Sequence, residues 1–201
     1  MTPQPLKNDP ILNEIIEKTP QYKKAFEFGG DVYLALMESI VSQQISVKAA
    51  DSIFERFLNL FADEYPNAKQ MLEMTDDELR SAGLSFQKIK YMRNVAEFSL
   101  ANDISYENLN KYSDDEIVEL LTQIKGVGRW TVEMLLIFVL DRPDVFPIDD
   151  LVVRQKLIKA YGLDDTQPKK ELYRQIHEIA NTWRPHRSLA SKYLWRWKPE
   201  Y

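Results

Sequence analysis

Apolar residues recur every three to four positions along most of the chain, which is the spacing of one buried helix face. Two early segments show this clearly, residues 31–44 and residues 47–61. No segment keeps the two-residue alternation that is typical of a half-buried strand. The pattern therefore predicts an all-α protein of about ten helices.

Two helix starts are marked by capping boxes, in which a Ser or Thr is followed three residues later by Glu. Thr75 with Glu78 predicts a helix from Asp76, and Ser113 with Glu116 predicts a second from Asp114. Residues 1–10 are rich in proline, so we expect an arm there that is either disordered or wrapped onto the fold.

The composition is that of a globular protein. With 201 residues, of which 44% are hydrophobic, the chain forms one compact unit, 1–201, or two closely packed small ones. No apolar run reaches the ~20 residues that cross a membrane, and the N-terminus has no apolar signal core. There is no cysteine, which excludes disulfides, thiolate metal sites and cysteine-held iron–sulfur clusters.

The net charge of −5 is unusual for a nucleic-acid-binding protein, but the basic residues are not spread evenly. Residues 182–198 contain Arg184, Arg187, Lys192, Arg196 and Lys198 and no acidic residue. Basic side chains that share one face of a protein can bind phosphate even when the net charge of the protein is negative. This cluster therefore predicts a DNA contact, and Arg187 is the residue that we expect to make it. The alternative is an ordinary solvated helix face.

A glycine-tight turn at residues 124–128 separates two predicted helices, the second of which is strongly apolar. Gly126 can adopt the positive φ that ends a helix, and Gly128 lets another backbone approach closely because it has no Cβ. Successive backbone N–H groups in such a turn suit a phosphate oxygen. The predicted phosphate contacts are Lys125, Gly126, Val127, Gly128, Arg129 and Thr131.

Two adjacent aspartates, Asp149 and Asp150, follow Pro147 where a helix begins. One aspartate at such a place is ordinarily the N-cap, and the N-terminus of a helix stabilises negative charge. A catalytic role for the other is one interpretation. A divalent metal held by Asp141, Asp144 and this pair is a weaker alternative.

Together these motifs resemble the helix-hairpin-helix, Gly/Pro-Asp superfamily of DNA base-excision glycosylases, and within it the bacterial 3-methyladenine DNA glycosylase II branch. The residues that carry the resemblance are Ile124-x-Gly126-Val127-Gly128-x-Trp130-Thr131 and Val145-Phe146-Pro147-Ile148-Asp149-Asp150. The likeness extends to residues 40–46 and 183–195. It implies a two-lobed helical fold with a cleft between the lobes: residues 31–145, with the hairpin, form the central lobe, and residues 1–30 with 146–201 form the second.

The resemblance also implies which residues act. Asp150 is the catalytic carboxylate and Asp149 the helix cap. Breaking an N-glycosidic bond leaves an oxocarbenium-like sugar, and a fixed carboxylate beside C1′ stabilises that charge. Trp130 and Trp195 line a base pocket, since electron-rich rings stack on a cationic purine. Met134 stands where a close relative has a stacking tyrosine, so the pocket is less aromatic there.

A wedge that enters the minor groove when a base is flipped is expected at Gln43, Gln44, Ile45 and Ser46. Register places the wedge at Gln44, and Ile45 is the apolar alternative. In the resembled family the hairpin carbonyls, here those of Thr122, Ile124 and Val127, can hold a sodium or potassium ion. No other cofactor is expected.

The function implied is a monofunctional DNA glycosylase that excises alkylated purines such as 3-methyladenine and 7-methylguanine. Members that also cut the backbone have a lysine where this chain has Trp130, so no lyase activity is expected. The expected partner is double-stranded DNA with alkylated bases, bound by a monomer with no membrane association, in the cytoplasm at the nucleoid if the source is prokaryotic. Two alternatives are a non-catalytic lesion-sensing module and a glycosylase for an oxidised purine or uracil.

Overall fold

The computed structural model describes residues 2–20 and 27–198, and these residues form helices and loops without a strand. The all-α prediction is therefore confirmed. The helices are α1 (Gln4–Lys7), α2 (Pro10–Lys18), α3 (Val32–Ser42), α4 (Val47–Leu58), α5 (Ala68–Glu73), α6 (Asp76–Ser81), α7 (Phe86–Ala101), α8 (Tyr106–Leu109), α9 (Asp114–Leu121), α10 (Arg129–Phe138), α11 (Leu151–Tyr161), α12 (Lys169–Asn181) and α13 (Arg187–Arg196), with a 3₁₀ turn at Glu27–Gly30.

Three of these helices, α1, α5 and α8, are too short to show a helical period and were not expected from the pattern. Both predicted capping boxes are present, at Thr75 with Glu78 and at Ser113 with Glu116. Within the described part of the chain, none of the helices has the length and apolarity of a membrane-spanning segment.

The chain divides into two units. One is Phe26–Leu140, and the other combines both ends of the chain, Met1–Ala25 and Asp141–Tyr201. The resemblance implied a central lobe of residues 31–145, so both of its expected boundaries lie five residues later in the chain than the observed ones. In both divisions the middle of the chain forms one unit and the two chain ends form the other.

Helix α3 is the central element of the unit Phe26–Leu140. It packs against α4, α7 and α10, and its buried face consists of Leu36, Met37, Ile40 and Val41 with almost no exposure. Helices α9 and α10 pack against each other as a hairpin. Because α3 and α10 are neighbours, the segment that follows α3 and the turn that precedes α10 belong to one packed assembly.

The unit made of the chain ends is built around Trp183, which is fully buried among residues of α1, α2, α11, α12 and α13. Leu6 of α1 is also fully buried, so the proline-rich start wraps onto the fold, and the disordered alternative is wrong for residues 2–10. Asp9 holds this start of the chain in place. Its Oδ1 accepts hydrogen bonds from the Ile11 and Leu12 amides, and its Oδ2 accepts hydrogen bonds from the Tyr161 hydroxyl at 2.6 Å and from Trp183 Nε1 at 2.8 Å.

We predict that Asp9→Ala destabilises the protein by about 2–4 kcal/mol, because it removes a helix cap and two hydrogen bonds to a charged acceptor. Urea unfolding followed by circular dichroism measures the loss. Asp165→Ala is the control, since Asp165 is an exposed aspartate with the same charge. Equal stability of the two variants would contradict the prediction.

Candidate functional site

The hairpin turn between α9 and α10 depends on a close contact at Gly126. Its φ is +109°, as the sequence predicted for the first glycine, and a Cβ built there would lie 2.3 Å from Tyr91 Cγ. Asn94 Nδ2 donates to the Lys125 carbonyl at 2.9 Å. Helix α7 therefore supports the turn with two side chains, and only glycine fits at position 126.

Gly128 has a different role from the one predicted for it. Its φ is −96°, and a Cβ built there would meet no atom within 4 Å, so no part of the described chain approaches it closely. Gly128 is the N-cap of α10, and no side chain caps this helix. The N-cap therefore supplies no side-chain acceptor to the first amides of α10, and such a helix start at an exposed surface favours an anion.

The other predicted phosphate contacts divide into exposed and buried residues. Lys125 and Arg129 are exposed, and Arg129 Nε donates to Glu133 at 3.0 Å. Val127 and Thr131 are each 4% exposed, and the Val127 amide donates to the Ile124 carbonyl. The side chains of Val127 and Thr131 thus pack the hairpin, while Lys125 and Arg129 lie at its surface, with Arg129 in an ion pair to Glu133.

The segment after α3 is attached to this hairpin. Gln43 Nε2 donates to the Gly126 carbonyl at 3.1 Å, and Ser46 caps α4 by accepting the Ala49 amide. Gln44 is exposed with a φ of +61°, and Ile45 is 37% exposed. Of the four predicted wedge residues, Gln43 and Ser46 therefore support the backbone, and Gln44 and Ile45 are the two presented outward.

A cavity of about 400 Å³ lies in the unit Phe26–Leu140, within the ~300–1,000 Å³ of small-molecule pockets. Trp130 is 43% exposed on its wall, so this indole is not a buried core residue. The described residues that line the cavity are Phe28, Ala35, Glu38, Ser39, Ser42, Gln43, Gln44, Trp130, Thr131, Met134, Leu135, Phe138 and Val139. The structure thus brings together the predicted pocket residues Trp130 and Met134 with the predicted wedge.

Asp150 caps α11, and the assignment of the cap to Asp149 is wrong. Oδ1 of Asp150 accepts the Val153 amide at 2.8 Å, and the residue has the extended backbone of an N-cap directly before Leu151. Asp149 is exposed and accepts the Tyr173 hydroxyl at 3.0 Å. An aspartate pair at a helix start does not reveal which member is the cap, because that depends on where the first helical residue falls.

Asp150 is 7% exposed, and the same Oδ1 accepts Nε1 of Trp195 at 2.9 Å. The predicted catalytic carboxylate and one predicted pocket tryptophan are therefore in direct contact. Lys156, which the sequence did not single out, donates to the Trp195 carbonyl at 2.7 Å. Burial lowers the pKa of Lys156, and the nearby negative charge of Asp150 opposes that shift.

Arg187 does not have the exposed position that was expected of a DNA contact. Its side chain is 13% exposed, and its guanidinium donates to both carboxylate oxygens of Asp144, which also pairs with Arg184. The pair joins α13 to the loop before α11, which is a structural role. The arginines at 184 and 187 thus share one carboxylate, which offsets one of their two positive charges.

The proposed divalent metal site is not supported. Asp144 pairs with these arginines, Asp141 lies 3.9 Å from Lys192, and Asp149 and Asp150 have the separate partners described above. Among the residues that the structure describes, no three acidic or histidine side chains converge on a common point that could hold a metal ion.

Residues 37–182 match the HhH-GPD superfamily base excision DNA repair protein family. DNA-3-methyladenine glycosylase 1 of Schizosaccharomyces pombe is 37% identical over 166 residues, which are 82% of this chain and 71% of that protein.

Two solved structures have the same fold. One is the Schizosaccharomyces pombe 3-methyladenine DNA glycosylase in complex with abasic DNA, with a TM-score of 0.83, 33% identity and coverage of 95% of this chain and 93% of that one. The other is a DNA-3-methyladenine glycosidase from Bacillus halodurans, with a TM-score of 0.81, 30% identity and coverage of 95% and 85%.

The two hairpin glycines form a matched pair for a stability test. We predict that Gly126→Ala lowers the free energy of unfolding by about 2 kcal/mol or more, because of the unfavourable φ and the overlap with Tyr91. Gly128→Ala should change it by less than about 1 kcal/mol, since its φ is allowed and its Cβ is unobstructed. Thermal and urea unfolding measure both, and similar losses in the two variants would refute the assigned roles.

Proposed function

Since the chain belongs to the HhH-GPD superfamily of base excision DNA repair proteins, we propose that it is a DNA glycosylase that hydrolyses the N-glycosidic bond of alkylated purines, of the 3-methyladenine and 7-methylguanine type, in duplex DNA. The observation that carries this proposal is the Asp150 carboxylate, held in one orientation by the Val153 amide and the Trp195 indole. The names of the relatives support the same substrate class.

The reaction requires a negative charge beside the sugar. As the bond between C1′ and the base nitrogen breaks, its electron pair goes to the base and positive charge develops on the sugar ring. Asp150 stabilises that charge, and its two donors hold it in place so that no reorganisation is needed during the reaction. Water then bonds to C1′ and releases a proton, which leaves an abasic site.

The leaving group requires little help from the protein. An alkylated purine of this type carries a positive charge and becomes neutral when it leaves, so it needs no strong general acid. Selection then depends on the cavity beside Trp130, where an electron-rich indole face stacks on an electron-poor base. Met134 adds a polarizable, non-aromatic wall at the same cavity.

We propose that DNA is held at the hairpin and at the segment after α3. The uncapped start of α10 receives a phosphate oxygen, with Lys125 and Arg129 beside it. Gln44 or Ile45 occupies the gap that a flipped base leaves, which offsets an unstacking cost of a few kcal/mol. Since Gly128→Ala is expected to keep the fold, loss of duplex affinity in that variant would assign the phosphate to this helix start.

A sodium or potassium ion at the carbonyls of Thr122, Ile124 and Val127 belongs to the same proposal. Neutral carbonyl oxygens are suitable hard ligands, and the Ile124 carbonyl keeps a second lone pair beside its bond to the Val127 amide. Such an ion would add positive charge next to the phosphate. The monomeric state and the cytoplasmic location stay predictions.

We predict that Asp150→Asn lowers the single-turnover rate of 7-methylguanine release at least about hundredfold, because the charge that stabilises the sugar is lost. The asparagine oxygen can still accept from Val153 and Trp195, so duplex binding should survive. Asp149→Asn removes the same charge from an exposed neighbour and should retain near-normal activity. Full activity of Asp150→Asn would overturn the proposed mechanism.

The enzyme should release the base without cutting the strand, because the hairpin-following helix presents Trp130 where a Schiff-base lysine would be required. Incubation with lesion duplex should give an abasic site that is cleaved only after alkali treatment. Borohydride should trap no covalent protein–DNA adduct. Direct strand cleavage or a trapped adduct would contradict monofunctional chemistry.

Substrate profiling separates the two alternative functions. Defined duplexes with 3-methyladenine, 7-methylguanine, hypoxanthine, 8-oxoguanine or uracil are compared under single-turnover conditions. Release of an oxidised purine or uracil alone would favour a glycosylase of another class. Tight binding of lesion duplex with no release of any base would favour the lesion-sensing module.

A further inference from the structure

Among the described residues that line the cavity beside Trp130, Glu38 is the single charged side chain. It lies on α3, one helical turn before Ser42, and is partly buried. The Ser42 hydroxyl donates to Glu38 Oε1 at 2.5 Å, which limits the orientations that the carboxylate can adopt. Sequence reasoning did not select Glu38, since a glutamate on an amphipathic helix is ordinarily a solvated surface residue.

The remaining lining residues do not neutralise this charge. They include aromatic, aliphatic, hydroxyl and amide side chains, and none of those described is basic. A carboxylate in a partly desolvated, largely apolar cavity favours a cation as occupant, because Coulomb attraction is weakly screened there. An ionised carboxylate also accepts hydrogen bonds and donates none, so it suits the N–H groups of a purine edge.

We propose that Glu38 selects positively charged lesions by pairing with the cationic base before the bond breaks. This inference rests on the proposed function and specifies its substrate class as cationic alkylated purines over neutral ones. The Trp130 face and the Glu38 carboxylate act on the same property of the base, its positive charge. Glu38 is thus a specificity residue for recognition.

The direction of charge movement distinguishes Glu38 from Asp150. Bond cleavage neutralises the base while charge builds on the sugar. A carboxylate beside the base therefore stabilises the bound substrate more than the transition state, and its loss weakens binding without slowing the chemical step. A carboxylate beside the sugar has the opposite effect, since its loss slows the chemical step.

The test is single-turnover kinetics of Glu38→Gln on 7-methylguanine duplex. The half-saturating protein concentration should rise about 10- to 100-fold, which is the effect of losing one hydrogen bond to a charged group. The maximal rate should change by less than about twofold or increase. The dissociation constant for a duplex with a neutral tetrahydrofuran abasic analogue should stay unchanged. Glu38→Asp should lie between wild type and Glu38→Gln.

The matched control is Glu55→Gln, which removes the same charge from an exposed position on α4 outside the cavity lining. It corrects for the general effect of net charge on DNA affinity. Circular dichroism checks the fold of each variant, and Glu38→Met replaces Glu38→Gln in the assay if the latter does not fold.

Three results would overturn the inference. One is an unchanged half-saturating concentration in Glu38→Gln, and another is an equal loss of affinity for the abasic analogue, which would mean that Glu38 acts on DNA in general. The third is a lower maximal rate at unchanged affinity. In all three cases wild-type activity would still support the proposed glycosylase. Wild type that releases no alkylated base would instead refute the proposed function itself.

Discussion

A carboxylate that caps a helix and also accepts an indole N–H stabilises the unit made of the chain ends at two places. Asp9 caps α2 and accepts Nε1 of Trp183, and Asp150 caps α11 and accepts Nε1 of Trp195. In each case a short side chain connects a helix start to a tryptophan far along the sequence. The cap fixes where the carboxylate lies, and the indole fixes how it is turned.

The same interaction serves stability at Asp9 and is proposed to serve the chemistry at Asp150. At Asp9 the second oxygen is also occupied, by the Tyr161 hydroxyl, and burial beside this carboxylate raises the pKa of Tyr161 far above its ordinary value. At Asp150 the Val153 amide and the Trp195 indole donate to Oδ1. A catalytic carboxylate must be held firmly, and in the proposed function these two donors hold Asp150 in place.

In the unit Phe26–Leu140, the close contact between Gly126 and Tyr91 determines the shape of the hairpin turn. This contact sets the turn that precedes α10, and the Gln43 amide joins the same turn to the segment after α3. The segment after α3 and the start of α10, both of which line the cavity, are therefore joined through this turn. In the unit made of the chain ends, the basic cluster of residues 182–198 also depends on tertiary contacts. Asp144 pairs with the arginines at 184 and 187, so part of this cluster has a structural role.

The family resemblance and the all-α fold were predictable from the sequence, because both depend on local features. Helical spacing, capping boxes and the turn glycines report on backbone conformation within a few residues. The positive φ of Gly126 was anticipated for this reason. So were the helix start after the aspartate pair and, from the resemblance, the position of Trp130 at the wall of a cavity.

The features that differed from expectation depend on partners distant in sequence. Tyr91 decides that the tight approach is at Gly126 and that Gly128 is unobstructed, and Asp144 makes Arg187 a structural residue. Tyr161 and Trp183 hold the proline-rich start in place through Asp9. The sequence by itself determined the helices that are long enough to show a period or are marked by a capping box, and the motifs they carry. Tertiary structure decided which polar groups are engaged and which face a cavity, because hydrogen bonds and burial are set by residues that come together only on folding.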